Sequence, residues 1–230
     1  MQQTIKINKF NYFNLRESSV EVLKIIDKFG FLTSEQIMKL LNLCPRTTYR
    51  LLKRLLQKQL ITFRKTKWNN LRFYHLRVAG TKLIENSLGY IRFPSWNQIN
   101  HENTIIDFIV SNKLEFNDYW VAREIKKKLQ SLIIPDLIIT NSEINKLVYQ
   151  NQTIIVSPKT AIEFELTWKS STRYNTIFDF YQLEIKNNIF EEIIYFCKPF
   201  VAEKLTKFLK KNPLKNKVQI IELKTIKKGV

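Results

Sequence analysis

Residues 33–59 read TSEQIMKLLNLCPRTTYRLLKRLLQKQ. Thr33 and Gln36 stand three apart ahead of an apolar run. At that spacing a hydroxyl caps one backbone N–H while the amide side chain returns to another, so a helix is expected through Ile37, Leu40 and Leu41. Asn42-Leu43-Cys44 then make a turn. Pro45 opens the next helix, because its φ is already helical and its missing N–H has no role in a first turn. Leu51, Leu52, Leu55 and Leu56 gather on one side of that helix and leave a basic side opposite. Towards the N-terminus, Val20, Leu23, Ile26 and Phe29, widened by Val22 and Ile25, predict an amphipathic helix capped by Ser18 or Ser19 and stopped by Gly30. Towards the C-terminus, LITFRK (60–65) and LRFYHLR (71–77) have the composition of strands around the polar turn 66–70.

Three short helices and a two-stranded hairpin follow the order of a winged helix-turn-helix, and residues 17–77 resemble that DNA-binding family in pattern. The resemblance implies that the third helix enters a major groove with its N-terminal side chains at base edges. Here these are Arg46, Thr47, Thr48 and Arg50, with Tyr49 reaching a phosphate or a base. Lys53 and Arg54 are expected on phosphates, where contacts give affinity without sequence information. Lys65, Lys67 and Trp68 form the candidate wing.

The charge points the same way. The 230 residues carry 38 Lys and Arg against 20 Asp and Glu, a net +18 that asks for a polyanionic partner. Residues 1–100 hold 18 bases and 5 acids, and no acid falls between Glu35 and Glu85. Four glycines provide no Gly-rich phosphate loop. Cys44 and Cys197 lack CxxC partners, which argues against a zinc site or a disulfide scaffold, so both are expected to be buried. No run is long and apolar enough to span a bilayer and the start lacks a signal-peptide stretch, so no membrane insertion and a cytoplasmic location are expected.

Val78–Leu88 reads as a short helix, and the Pro94 region as a linker. From His101 the pattern changes. A helix through Ile105, Ile106, Phe108 and Ile109 precedes a strand-like 119–124, the apolar run SLIIPDLIIT, a polar excursion from Asn141 to Asn151, and TAIEFELTW. Helical 171–187, the strand EEIIYFC, a helix over 201–211 and the strand VQIIEL complete an αβββαβαβ order, which predicts a mixed sheet flanked by helices. Three acids fall where carboxylates are costly: Asp136 in an Ile-rich run, and Glu163 and Glu165 in Ile-Glu-Phe-Glu-Leu. Alternation puts Glu163 and Glu165 on one face and Ile162, Phe164 and Leu166 on the other. Like charges about 7 Å apart call for water, a base or a cation between them. With Asp136 on the same face, the three would suit Mg²⁺ or Mn²⁺, with Lys169 pointing back as a helper. The alternative is an ordinary amphipathic strand with its acidic face in solvent.

Pro135-Asp136, then Glu163-x-Glu165, within this element order, resembles the PD-(D/E)xK nuclease fold, although Glu165 stands where that pattern has lysine. Over nearly the whole chain, the basic winged helix, His101-Glu102-Asn103, IPDLII and EFELTWKSSTRY are similar to MobC-type plasmid mobilization relaxases and the neighbouring replication-relaxation family.

The resemblance implies an α+β chain: a winged helix-turn-helix (1–90), a linker (91–100) and a PD-(D/E)xK restriction-endonuclease-like α/β domain with a mixed central sheet (101–230). It also implies metal-dependent nicking of double-stranded DNA at an origin of transfer, with Mg²⁺ or Mn²⁺ on Asp136, Glu163 and Glu165. Lys169 and Arg173 would serve the phosphate, His101 and Asp107 could join the site, and water, Tyr174 or Tyr181 would be the nucleophile. An accessory mobilization protein and a coupling protein are the further expected partners. The rival expectation is a non-catalytic DNA-binding accessory protein or repressor.

Overall fold

The structure is a computed structural model and describes residues 15–65, 71–85, 87–89, 95–129 and 133–224. The chain divides into two compact units, Met1–Pro94 and Ser95–Val230. No helix among the described residues is long and apolar enough to cross a membrane.

The first unit runs α1 (Glu17–Phe29), β1 (Leu32–Thr33), α2 (Ser34–Leu40), α3 (Pro45–Gln57), β2 (Ile61–Lys65), β3 (Arg72–Leu76) and α4 (Val78–Thr81). Thr33 and Gln36 make the expected capping box on α2. Pro45 occupies the first turn of α3, and Gly30 ends α1 at φ 85°, a conformation without penalty for glycine. β2 and β3 pair antiparallel with Phe63 opposite Tyr74, and β1 adds a third strand to give the order β1-β3-β2. Val22, Ile26, Leu51, Leu55 and Phe73 build the core under this sheet. The arrangement is that of a winged helix-turn-helix.

Two local expectations fail here. Neither Ser18 nor Ser19 caps α1; the N-cap is Arg16, and Ser19 is buried one turn in. The helix expected over 78–88 stops at Thr81, and the chain beyond is tied to α1 instead, where Asp27 accepts from Ser87 Oγ and Leu88 N, both at 2.8 Å.

The second unit runs α5 (Trp96–Ser111), β4 (Tyr119–Val121), α6 (Ala122–Leu129), β5 (Leu137–Ile139), β6 (Lys146–Tyr149), β7 (Gln152–Ile155), β8 (Ala161–Glu165), α7 (Ser171–Lys186), β9 (Ile193–Cys197), α8 (Pro199–Leu209), a 3₁₀ turn (Pro213–Asn216) and β10 (Val218–Glu222). Its mixed sheet has the order β10-β9-β8-β5-β4, antiparallel across β4, β5 and β8 and parallel across β8, β9 and β10. Both faces are covered. Phe164 and Phe196 stack at 5.0 Å and meet Phe108 of α5 on one face. On the other, Ile193, Tyr195 and Cys197 join Tyr174, Phe178 and Tyr181 of α7 and Val201 and Leu205 of α8 in one core.

The structure shortens several predicted elements and adds others. The linker expected over 91–100 ends by Ser95, whose hydroxyl and Gln98 form a capping box that starts α5 early. The strand expected over 119–124 ends at Val121, because Glu124 accepts from Val121 N at 3.1 Å and starts α6, with Ile125 buried. The polar excursion from Asn141 folds as the antiparallel pair β6–β7. Its half-buried pattern was hidden among polar residues.

Candidate functional site

Two surfaces collect the residues singled out by sequence. On α3, Arg46, Tyr49, Arg50 and Lys53 are exposed, opposite buried Leu51, Leu52 and Leu55, and Arg54 is half-buried. Thr48 does not belong with them. It is fully buried, and its hydroxyl donates to Cys44 O at 3.1 Å, so it locks the helix start and is withheld from any base. Thr47 is half-buried, with Oγ1 3.2 Å from Cys44 Sγ, and this side-chain hydrogen bond, with the local backbone N–H groups, lowers the thiol pKa. Cys44 is exposed, contrary to expectation, because it is the N-cap of α3 and lies outside its apolar stripe; Cys197 is buried. Lys65 is exposed at the end of β2, while Lys67 and Trp68 lie outside the described residues.

The second surface is a cleft of about 540 Å³ in the C-terminal unit. It opens where β8 and β9 end, the usual position for ligands on parallel strands. His101, Asp136, Glu163, Glu165, Lys169, Arg173 and Lys198 all line it. Sequence reasoning brought the first six together and missed Lys198, which had only its place directly after a strand to mark it. Asp107 is exposed on α5 and does not line the cleft.

Each carboxylate in the cleft has a partner. Asp136 Oδ2 accepts from Phe164 N at 2.7 Å and lies 3.1 Å from His101 Nε2, which is also 3.1 Å from Phe164 O. Glu163 accepts from the Tyr181 hydroxyl, and Glu165, buried, is ion-paired with Lys169. Glu163 and Glu165 do share a face, but α7 covers it, so the solvated-strand alternative does not hold.

Burial, then the charge of Asp136, pushes the Glu163 pKa up to about 8. Burial alone would lower His101, but the hydrogen bond and charge of Asp136 outweigh it and raise the imidazole to about 9. Glu102, beside them, is pushed up to about 7, first by burial. Tyr174 and Tyr181, expected as candidate nucleophiles, are fully buried. Their hydroxyls titrate well above the ordinary tyrosine range, through burial first and the neighbouring glutamates next. Their place is in the aromatic core.

No family model matches this chain. No curated protein matches it. Among solved structures, a MepR-like protein complexed with pseudoligands is 18% identical over 30% of this chain and 50% of that one, with a TM-score of 0.29. This chain therefore spans about half the length of that relative. MepR, a transcription regulator of a Staphylococcus aureus multidrug efflux pump, is 20% identical over 51% of this chain and 77% of its own, with a TM-score of 0.30. A MarR mutant from E. coli complexed with operator DNA is 12% identical over 51% and 74%, with a TM-score of 0.29. These likenesses are local, and the winged-helix character of the first unit rests on its own element order and register.

The side chains of the cleft, as arranged, do not fit a divalent ion. Among the described residues no three His, Cys, Asp or Glu side chains stand together as a metal site. The expected cage of Asp136, Glu163 and Glu165 is divided among three separate partners: His101 holds the first, Tyr181 the second and Lys169 the third.

Proposed function

We propose that the protein is a sequence-specific DNA-binding protein of the repressor or accessory kind, which grips duplex DNA with α3 in the major groove. The observation that carries this is α3 itself. Four side chains able to meet bases and phosphates, Arg46, Tyr49, Arg50 and Lys53, are exposed together, in a stretch without an acid from 36 to 84. The test is selection of bound sequences from a random duplex pool, followed by titration of the winner against a scrambled duplex. Arg46→Ala and Arg50→Ala should erode the preference for the winner. A protein that binds both duplexes equally, with only salt-dependent affinity, would refute sequence-specific reading.

A second role is favoured by one observation: Asp136, Glu163, Glu165 and Lys169 line a single cleft at the ends of parallel strands. It is site-specific nicking at an origin of transfer by a MobC-like relaxase with a PD-(D/E)xK-like centre. Such a role requires Mg²⁺ or Mn²⁺, and hence a rearrangement that frees the acids from His101, Tyr181 and Lys169. An accessory mobilization protein and a coupling protein would then be partners. Supercoiled plasmid carrying the cognate origin, incubated with protein and Mn²⁺, tests it. Nicking abolished by Asp136→Ala and Glu163→Ala supports the centre, and nicking that survives them rejects it.

A further inference from the structure

We propose that the rim of the cleft binds single-stranded DNA, with Phe200 as a stacking platform and Lys198, Lys204 and Arg173 on the phosphates. Phe200, in the first turn of α8, leaves 60% of its surface in solvent. The Lys204 ammonium stands 4.3 Å from the centre of the Phe200 ring and 5.4 Å from that of Trp168. The half-buried Trp168 packs on Tyr174 at 4.5 Å, so this aromatic pair is anchored in the core. Lys198 and Arg173 are exposed and line the adjoining cleft. Neither is ion-paired among the described residues, whereas Lys169 is committed to Glu165. The one acid on α8, Glu203, is ion-paired with Lys207, and the charge of Lys204 also helps to hold its carboxyl below the ordinary range.

An exposed aromatic ring beside cations that make no ion pair among the described residues has a definite complement. The rings stack on the faces of bases and the cations follow the phosphates, a combination tolerant of sequence. Duplex DNA keeps its base faces inside the stack, so the occupant is a single strand. The patch lies wholly in the C-terminal unit. It stands whether or not α3 reads duplex DNA, and whether or not the cleft cleaves anything.

The experiment is fluorescence anisotropy of a labelled short oligothymidylate with the full chain in EDTA. Phe200→Ala should weaken binding at least about fivefold, the loss of one stacked base, while Phe200→Trp should retain it. Lys198→Ala and Lys204→Gln should each lower the salt slope by about 0.7. Duplex binding should stay at the wild-type level in all four variants, and Asp136→Ala should bind the oligothymidylate normally, which separates this site from both roles above. Because Phe200 is exposed, unchanged thermal melting of Phe200→Ala is the folding control. The proposal is overturned if the wild type does not bind the oligothymidylate, if Phe200→Ala and Lys198→Ala bind it as the wild type does, or if duplex affinity falls in parallel. Tighter binding of an oligouridylate would overturn the assignment to DNA.

Discussion

Replacing Glu163 with glutamine should stabilise the C-terminal unit, by an amount that grows as pH rises from about 5 to 8. In the folded chain Glu163 is pushed from 4.5 to about 8 by burial and by Asp136. Between those two pH values the unfolded chain gives up a proton that the folded chain keeps. The folded state therefore binds more protons, and its stability falls as pH rises through this window, with the loss complete above about 8. His101 adds a loss of the same sign between 6.5 and about 9, and Glu102 one between 4.5 and about 7. Each retained proton is worth about 1 kcal/mol per pH unit within its window. Glutamine keeps the oxygen that accepts from Tyr181 but has no proton to lose. Glu163→Gln should match the wild type at pH 5 and exceed it by about 2 kcal/mol at pH 8.5, a figure reduced from the full shift because the surroundings relax. Urea denaturation across this range, with hydrogen exchange of the 171–186 segment reporting on this unit alone, measures the difference. A variant that tracks the wild type at every pH, or is the weaker of the two at pH 8.5, would refute the reasoning.

Other substitutions separate surface from core. Arg50→Ala should relax the preference at one base pair at a cost of about 1–3 kcal/mol, measured by titrating single-base variants of the selected duplex. Thr48→Val, removing a buried hydroxyl bonded to Cys44 O, should lower the melting temperature of the first unit without changing the preferred sequence. Gly80→Ala would put a Cβ 2.2 Å from Leu60 O, which already accepts from Arg77 N. The backbone must move, and the first unit should lose about 1–3 kcal/mol by chemical denaturation. Phe164→Ala, deleting a buried ring stacked on Phe196, should cost the second unit about 3–5 kcal/mol while the winged helix still melts on its own.

Much of the first unit was legible because its signals are local. A capping box, a proline in a first turn and a leucine stripe act through neighbours three or four residues away, and all three reappear in α2 and α3. The failures were of another kind. Thr48 looked like a base reader by its position in α3, but a helix start can turn a hydroxyl inward onto Cys44 O. Cys44 looked apolar, but its place at the cap left it exposed. In the second unit, Glu124 ended a strand that composition alone would have prolonged.

The sequence by itself determined the identity and order of most elements, the acid-free basic stretch, and the shared face of Glu163 and Glu165, because period, caps and charge are properties of the chain. Only the tertiary structure decided what those acids face. Parallel β8 and β9 bring Lys198 to the cleft that Glu165 lines, α7 closes over both glutamates, and α5 brings His101 to Asp136. Partners from distant segments and the loss of water determine whether a carboxylate binds a cation, keeps a proton or pairs with a lysine. Here they divide three acids that share one cleft among three different partners.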